Sequence, residues 1–239
     1  MRLRSAGPLL TLVLAASSTF AFQAGTGDKA ARFAQFKESM AANHAKLAKY
    51  QWTETTTILL KGEVKKTETS SCRYGPDGKV QKTPLTPQQP AAQQQEGGRG
   101  GRFKARIVEK KVDELKDYGE RLKALIGEYV PPNRDRIQDA FQAGNVTFAP
   151  SGGLTAIDIN NYYKPGDKLV FSFDSTAKKI RSINVNSYLD DPKTDIVTLA
   201  VNFASLPDGT NYSANTDLKA ESKNIEIKTV NSNYQKITP

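Results

Sequence analysis

The chain has 239 residues and a formal net charge of +9, from 34 lysines and arginines against 25 aspartates and glutamates. It contains one cysteine and one histidine, which excludes an internal disulfide and any catalytic or metal site that needs two histidines. A basic chain of this kind can be suited to nucleic acid, to anionic headgroups or simply to solubility.

The N-terminus has the three-part pattern of a secretory signal peptide. Arg2 and Arg4 precede an apolar run from Leu9 to Ala16, and small residues continue to Ala21. We therefore expect a signal peptide over residues 1–21 and a periplasmic or secreted location. The apolar run is too short to span a bilayer, so the protein is not expected to be membrane-spanning. Because the lysines are scattered and the chain is exported, nucleic acid is not an expected partner.

The first predicted element of the mature domain, residues 22–239, is an amphipathic helix from Asp28 to Tyr50. Its apolar residues recur at spacings of three, four and seven, at Phe33, Phe36, Met40 and Leu47. Asp28 is the expected N-cap, because a carboxylate there can accept bonds from the free N–H groups of the first turn.

Three strands are predicted next. Threonines and other strand formers indicate strands from Trp52 to Leu60, from Glu63 to Tyr74 and from Val80 to Thr83. Lys61-Gly62 and Pro76-Asp77-Gly78-Lys79 have the composition of the turns that would join them. This part of the chain therefore predicts two consecutive hairpins.

A segment of a different composition follows, from Pro84 to Arg102. It is rich in proline, glutamine and Gly-Gly-Arg repeats, and its few apolar residues cannot offset the entropy of ordering, so we predict a disordered insertion over 84–102. Helical periodicity returns from Phe103 to Tyr129. Pro131-Pro132 ends that helix, and a shorter helix is predicted from Asn133 to Ala143.

The longest regular pattern runs from Leu154 to Ile237. Five or six segments alternate apolar and polar residues, as where Leu169, Phe171 and Phe173 are expected to face one way and their neighbours the other. Turns rich in glycine, proline and aspartate separate the segments. The pattern predicts an antiparallel meander with one face on a core.

The order of elements predicts an α+β fold. We expect a single domain with one curved antiparallel sheet of about nine strands and three amphipathic helices on its concave face. A sandwich of two sheets is the alternative, but it would leave the helices without a surface to cover.

This order resembles the lipoprotein-carrier superfamily of the bacterial envelope. The resemblance covers most of the mature chain as an order of elements. The aspartate-glycine turns that are common in those carriers are partly matched at Asp77-Gly78 and at 208–212. The segments 186–192 and 206–212 also resemble parts of exported bacterial proteins. The resemblance to the carriers implies a half-open barrel whose helices form a lid over an apolar cavity.

Groups that could carry chemistry are few. His44 and Cys72 have no neighbouring pattern that would activate them, and we interpret both as packed residues. Asp190, Asp191 and Asp195 form the densest carboxylate group, but they lie in a predicted turn, where aspartates usually cap backbone N–H groups. No nucleophile elbow, metalloprotease motif or phosphate loop is present. We therefore expect no enzymatic activity, no cofactor and no metal.

Two functional hypotheses remain from the sequence. The first is a protein that binds an apolar ligand, a lipid or a lipoprotein acyl chain, between the sheet and the helices. Its cavity would be lined by aromatic residues, namely Trp52, Tyr163, Phe171, Phe173 and Phe203. The second is a structural or regulatory protein with a packed core that contacts another envelope protein. Alternation alone leaves both open, because a cavity lining and a core demand the same apolar residues.

Overall fold

A computed structural model of the protein describes residues 24–85 and 101–237. The predicted signal peptide and residues 86–100 of the predicted insertion lie outside the described residues. The helices are α1 (Ala24–Leu47), α2 (Gly101–Tyr129) and α3 (Arg134–Gln142). The strands are β1 (Tyr50–Leu60), β2 (Glu63–Tyr74), β3 (Val80–Pro84), β4 (Val146–Ser151), β5 (Leu154–Asn160), β6 (Lys168–Asp174), β7 (Lys179–Tyr188), β8 (Ile196–Ser205), β9 (Asn211–Ala220) and β10 (Ile225–Lys236).

All ten of these strands form one antiparallel sheet in the order β3-β2-β1-β10-β9-β8-β7-β6-β5-β4. The first and last strands pair in its interior, with Tyr50 opposite Lys236. The edges, β3 and β4, do not pair with each other, so the curved sheet stays open. The predicted α+β fold, with three helices and one antiparallel sheet, is confirmed.

The described strands number ten rather than nine because β4 was not predicted. It contains Pro150, which argues against a strand inside a sheet but is tolerated on an edge strand, where its missing N–H needs no partner. Gly152 and Gly153 connect β4 to β5, and both have positive φ, as a tight hairpin turn of the mirror-image type requires. The meander therefore begins one strand earlier than Leu154.

Helix α1 also begins earlier than predicted. Asp28 is not an N-cap, because the helix starts at Ala24. Its carboxylate instead pairs with the guanidinium of Arg32, one turn further on, at 2.8 Å. An acid followed by a base four residues later stabilises the interior of a helix, and the sequence offers this pair as readily as a cap.

Helix α1 crosses the sheet at one end of its strands. The ring of Phe36 meets that of Phe171 on β6 at 4.9 Å, and the ring of His44 meets that of Tyr74 on β2 at 5.0 Å. Strands β6 and β2 are far apart in the sheet order, so a single helix reaches both only by crossing the strands between them. Helix α3 packs beside α1, with Phe141 stacked on Phe33 at 4.0 Å.

Helix α2 crosses the other end of the strands. The hydroxyl of Tyr118 bonds to Asp195, just before β8, and that of Tyr129 bonds to Asp167, just before β6. Within the described ranges, no helix has the length and apolarity needed to cross a bilayer.

The core lies between these helices and the strands from β4 to β9. The predicted alternation is confirmed there, since Leu169, Phe171 and Phe173 are all buried. We call strands β4 to β9 the covered half, and strands β1, β2, β3 and β10, where α1 reaches only one end of the strands, the uncovered half. On the uncovered half the buried apolar side chains of the described residues are Tyr50, Trp52 and Cys72.

Candidate ligand-binding site

A pocket of about 330 Å³ lies between α1 and the edge of the covered half. Its lining comes from α1, β4, β5, β6 and the turn after β6, at Arg32, Gln35, Phe148, Thr155, Ile157, Phe173 and Ser175. The pocket forms where α1 passes over the short edge strand.

The register of the sheet explains the apolar floor of the pocket. Phe148 on β4 lies opposite Ile157 on β5, and Thr155, two residues before Ile157, lies opposite Phe173 on β6. Residues two apart on a strand share a face, so these side chains all point toward α1. Ile157 and Phe173 are buried, whereas Phe148 is partly exposed because β4 has no neighbour on its outer side.

The rim of the pocket is polar. The hydroxyls of Thr155 and Ser175 lie 3.1 Å apart. Arg32 is the one charged side chain among the lining residues that the structure describes, and it is half exposed. The pocket therefore combines an apolar floor with a rim of hydrogen-bond donors.

The five aromatic residues predicted to line a cavity lie in different places, and their role as ligand contacts stays a prediction. Phe173 lines the pocket, while Phe171, on the same strand, is fully buried in the core. Phe203 is half-buried against the core on β8. Tyr163 is 41% exposed at the opposite end of the strands, with the Arg136 guanidinium 4.5 Å from its ring centre, and Trp52 lies on the uncovered half.

Several pocket residues were missed from the sequence. Phe148 was missed with the whole of β4. Thr155 and Ile157 fall in the predicted meander, where their shared parity was readable, but Arg32 and Ser175 carry no pattern that points to the same place. Only the path of α1 across the sheet brings them together.

An aromatic cluster occupies the end of the uncovered half. Trp52 stacks on Tyr234 at 5.6 Å and lies 5.5 Å from Tyr74, and Tyr212 lies 4.3 Å from Tyr234. Burial raises the pKa of Tyr74 and lowers the pKa of His44, which packs against it. The cluster is packed ring against ring, and the indole N–H of Trp52 is buried without a hydrogen-bond partner among the described residues.

Cys72 is buried beneath this cluster. Burial raises the pKa of its thiol to about 11, and the negative charge of Glu54 adds to the effect. A thiol in this state is a poor nucleophile at neutral pH, which agrees with its interpretation as a packed residue.

Buried carboxylates attach α2 to the loops of the covered half. Asp167 accepts hydrogen bonds from the Tyr129 hydroxyl at 2.5 Å and from the backbone N–H groups of Tyr163 and Lys164. The Tyr129 hydroxyl also lies 2.8 Å from that of Ser187. These bonds fix the end of α2 to the sheet.

Of the three aspartates of the loop after β7, Asp191 acts as predicted. Asp191 accepts bonds from the N–H groups of Lys193 and Thr194, which lower its pKa. Asp195 is buried rather than facing water, because the Tyr118 hydroxyl reaches it at 2.7 Å. Among the residues that the structure describes, no group of three or more histidine, cysteine or carboxylate side chains could hold a metal ion.

Comparisons with known proteins give one structural likeness. No family model and no curated protein sequence matches the chain. Among solved structures, the chain is similar to a DUF1329 family protein from Desulfovibrio piger, with a TM-score of 0.43 and 9% sequence identity over 85% of this chain and 92% of that chain. The resemblance to the lipoprotein carriers remains a prediction from the sequence.

Proposed function

We propose that this protein is an exported, non-catalytic envelope protein that binds an apolar ligand, a lipid or a single acyl chain, between α1 and the sheet. The pocket floored by Phe148, Ile157 and Phe173 is the observation that supports this function. Its volume of about 330 Å³ is at the lower end of the range for small-molecule sites, which fits one short chain rather than a complete lipid.

The size of the pocket leads to a chain-length test. Each methylene removed from water contributes about 0.8 kcal/mol, which is roughly a fourfold change in Kd. Titration of the mature protein with a series of ligands of increasing chain length should give this increment until the pocket is filled, and then a plateau. Mass spectrometry of lipids that co-purify from native envelope extracts would identify the natural ligand.

A matched pair of variants separates pocket binding from non-specific adsorption. Ser175→Trp places an indole into the mouth of the pocket, and we expect it to weaken binding at least tenfold. Thr176→Trp adds the same side chain to the same exposed turn, outside the lining, and should bind as the wild type does. Unchanged binding by Ser175→Trp, or no bound lipid and no titratable ligand at all, would defeat the proposal.

A second candidate is a protein that acts through a surface contact with another envelope component. The observation that favours it is the close packing of the interior beyond the pocket, where Phe36 sits edge-on to both Phe171 and Phe173. Chemical crosslinking in intact envelopes would give a discrete adduct under this function. Ser175→Trp would then leave the adduct unchanged.

A further inference from the structure

The pocket between α1 and β4 to β6 has four polar side chains in its lining. Its floor is apolar, and its rim consists of the Arg32 guanidinium, the Gln35 amide and the hydroxyls of Thr155 and Ser175. All four groups can donate hydrogen bonds, and the single charge among them is positive. The lining is therefore complementary to a ligand with an apolar body and an anionic end.

The guanidinium of Arg32 already binds one carboxylate, that of Asp28, through two of its nitrogen atoms. Its Nε and Nη2 atoms lie 3.1 and 2.8 Å from the two carboxylate oxygens of Asp28. Both side chains are about half exposed, at 51% and 57%, and an exposed pair of this kind contributes little stability. The bidentate pair uses two of five N–H donors, so the guanidinium retains donors for a second anion.

The two hydroxyls supply the rest of an anion site. Thr155 Oγ1 and Ser175 Oγ are 3.1 Å apart, close enough to bond to one another. Hydroxyl hydrogens rotate freely, so both can turn to donate to a carboxylate oxygen that arrives between them and Arg32.

We infer that the ligand of this pocket is an acyl chain with a free carboxylate, held at its charged end by Arg32 and the two hydroxyls and along its chain by the apolar floor. This inference rests on the proposed function, because it names the chemical class of the ligand for the same pocket. A guanidinium binds a planar carboxylate through paired N–H donors, which a neutral alcohol end cannot match.

The test compares decanoate with decanol, two ligands of equal chain length, by isothermal titration at pH 7.5, below the critical micelle concentration of decanoate and the solubility limit of decanol. Wild-type protein should bind decanoate at least tenfold more tightly than decanol. Arg32→Gln should abolish this preference by lowering the affinity for decanoate, while Arg32→Lys should retain a smaller preference, because lysine keeps the charge but lacks the planar guanidinium.

Lys29→Gln is the matched control. It removes the same charge from the same helix at an exposed position outside the pocket lining, and the preference for decanoate should persist. A loss of preference in Lys29→Gln equal to that in Arg32→Gln would overturn the inference, since the effect would then be one of net charge.

Two further outcomes separate the inference from the proposed function. Equal affinities of the wild type for decanoate and decanol would overturn the carboxylate inference while the apolar site stands. Failure of both ligands to bind would overturn both. Because Arg32 is half exposed, its variants should fold, and a melting temperature within a few degrees of the wild type verifies this.

Discussion

The covered and uncovered halves of the sheet differ in the residues on their inner face, the face on which the helices lie. One row of cross-strand partners starts at Phe171 on β6 and passes through Ile183 and Val201 to Thr216, Thr229 and Thr56. The apolar members are buried, and the change to threonine comes at β9, the last strand of the covered half. Along this row the inner face therefore changes from apolar to polar at the boundary between the two halves.

The comparison shows that strand formation and core formation are separate properties of this chain. Threonine-rich β1 forms as regular a strand as β6, because β-branched residues fit the pleat whether or not a helix covers them. Core burial instead requires a partner layer. On the uncovered half, that layer is reduced to the aromatic cluster around Trp52 at one end.

The difference between the two halves is tested most directly by a pair of substitutions in this row of cross-strand partners. Phe171→Ala removes a fully buried ring whose edge meets Phe36, and we expect a loss of about 3–5 kcal/mol in the free energy of unfolding. Thr56→Ala, in the same row of the uncovered half, should cost less than about 1 kcal/mol. Urea unfolding followed by circular dichroism measures both, and similar losses would show that the two halves are equally packed.

The next test concerns the attachment of α2 to the covered half. Tyr129→Phe removes one donor from Asp167, which is 2% exposed and whose other oxygen, Oδ1, is buried without a partner among the described residues. A buried carboxylate that loses a donor should cost about 1–3 kcal/mol. Tyr188→Phe removes an exposed hydroxyl bond to the carbonyl of Pro165 and should change the stability by about 0.5 kcal/mol or less. Equal effects would mean that Asp167 is reached by water.

The sequence predicted the regular parts of this architecture well and the pocket poorly. The alternation through Leu169, Phe171 and Phe173 reports burial directly, because each residue's environment depends on its own face of the strand. Strand β4 was missed because Pro150 argues against a strand unless that strand lies at the edge of the sheet, and the sequence alone does not show which strand is at the edge. Trp52 and Phe171 were predicted to line one cavity, but the pairing of β1 with β10 puts them in different halves. Pairing between distant strands leaves no local signal.

The third test asks whether the uncovered half opens before the rest of the protein. Because Cys72 is 1% exposed and burial also raises the pKa of its thiol to about 11, alkylation at pH 8 requires local opening. We expect the alkylation rate to rise at urea concentrations where circular dichroism is still native, corresponding to opening about 1–2 kcal/mol below global unfolding. Val185→Cys in a Cys72→Ser background places the probe in the covered half, and its alkylation should follow global unfolding. Identical urea dependence of the two probes would show that the sheet unfolds as one unit.

The smallest expected effect is a pH dependence at the junction of α1 with the uncovered half. His44 is the single histidine, so it is the side chain whose ordinary pKa lies between pH 5 and 8. A histidinium in the last turn of a helix is favoured by the helix dipole, by about 0.3–1 kcal/mol, but burial against Tyr74 opposes the charge. The pKa of His44 is lowered, first by burial and then by the positive charge of Arg134.

A lowered pKa fixes the sign of this pH dependence. The folded protein binds fewer protons than the unfolded chain, so the contribution of His44 is fully present above pH 6.5 and is lost as the pH falls through the lowered pKa. Urea unfolding at pH 7.5 and 5.5 should therefore show a loss of less than about 1 kcal/mol in the wild type, the scale of charge effects at helix ends. His44→Gln should remove most of that loss, whereas Lys46→Gln, which deletes a charge from the same turn, should preserve it. If the wild type instead gains stability on acidification, the dipole dominates and the ring of His44 is not effectively buried against Tyr74.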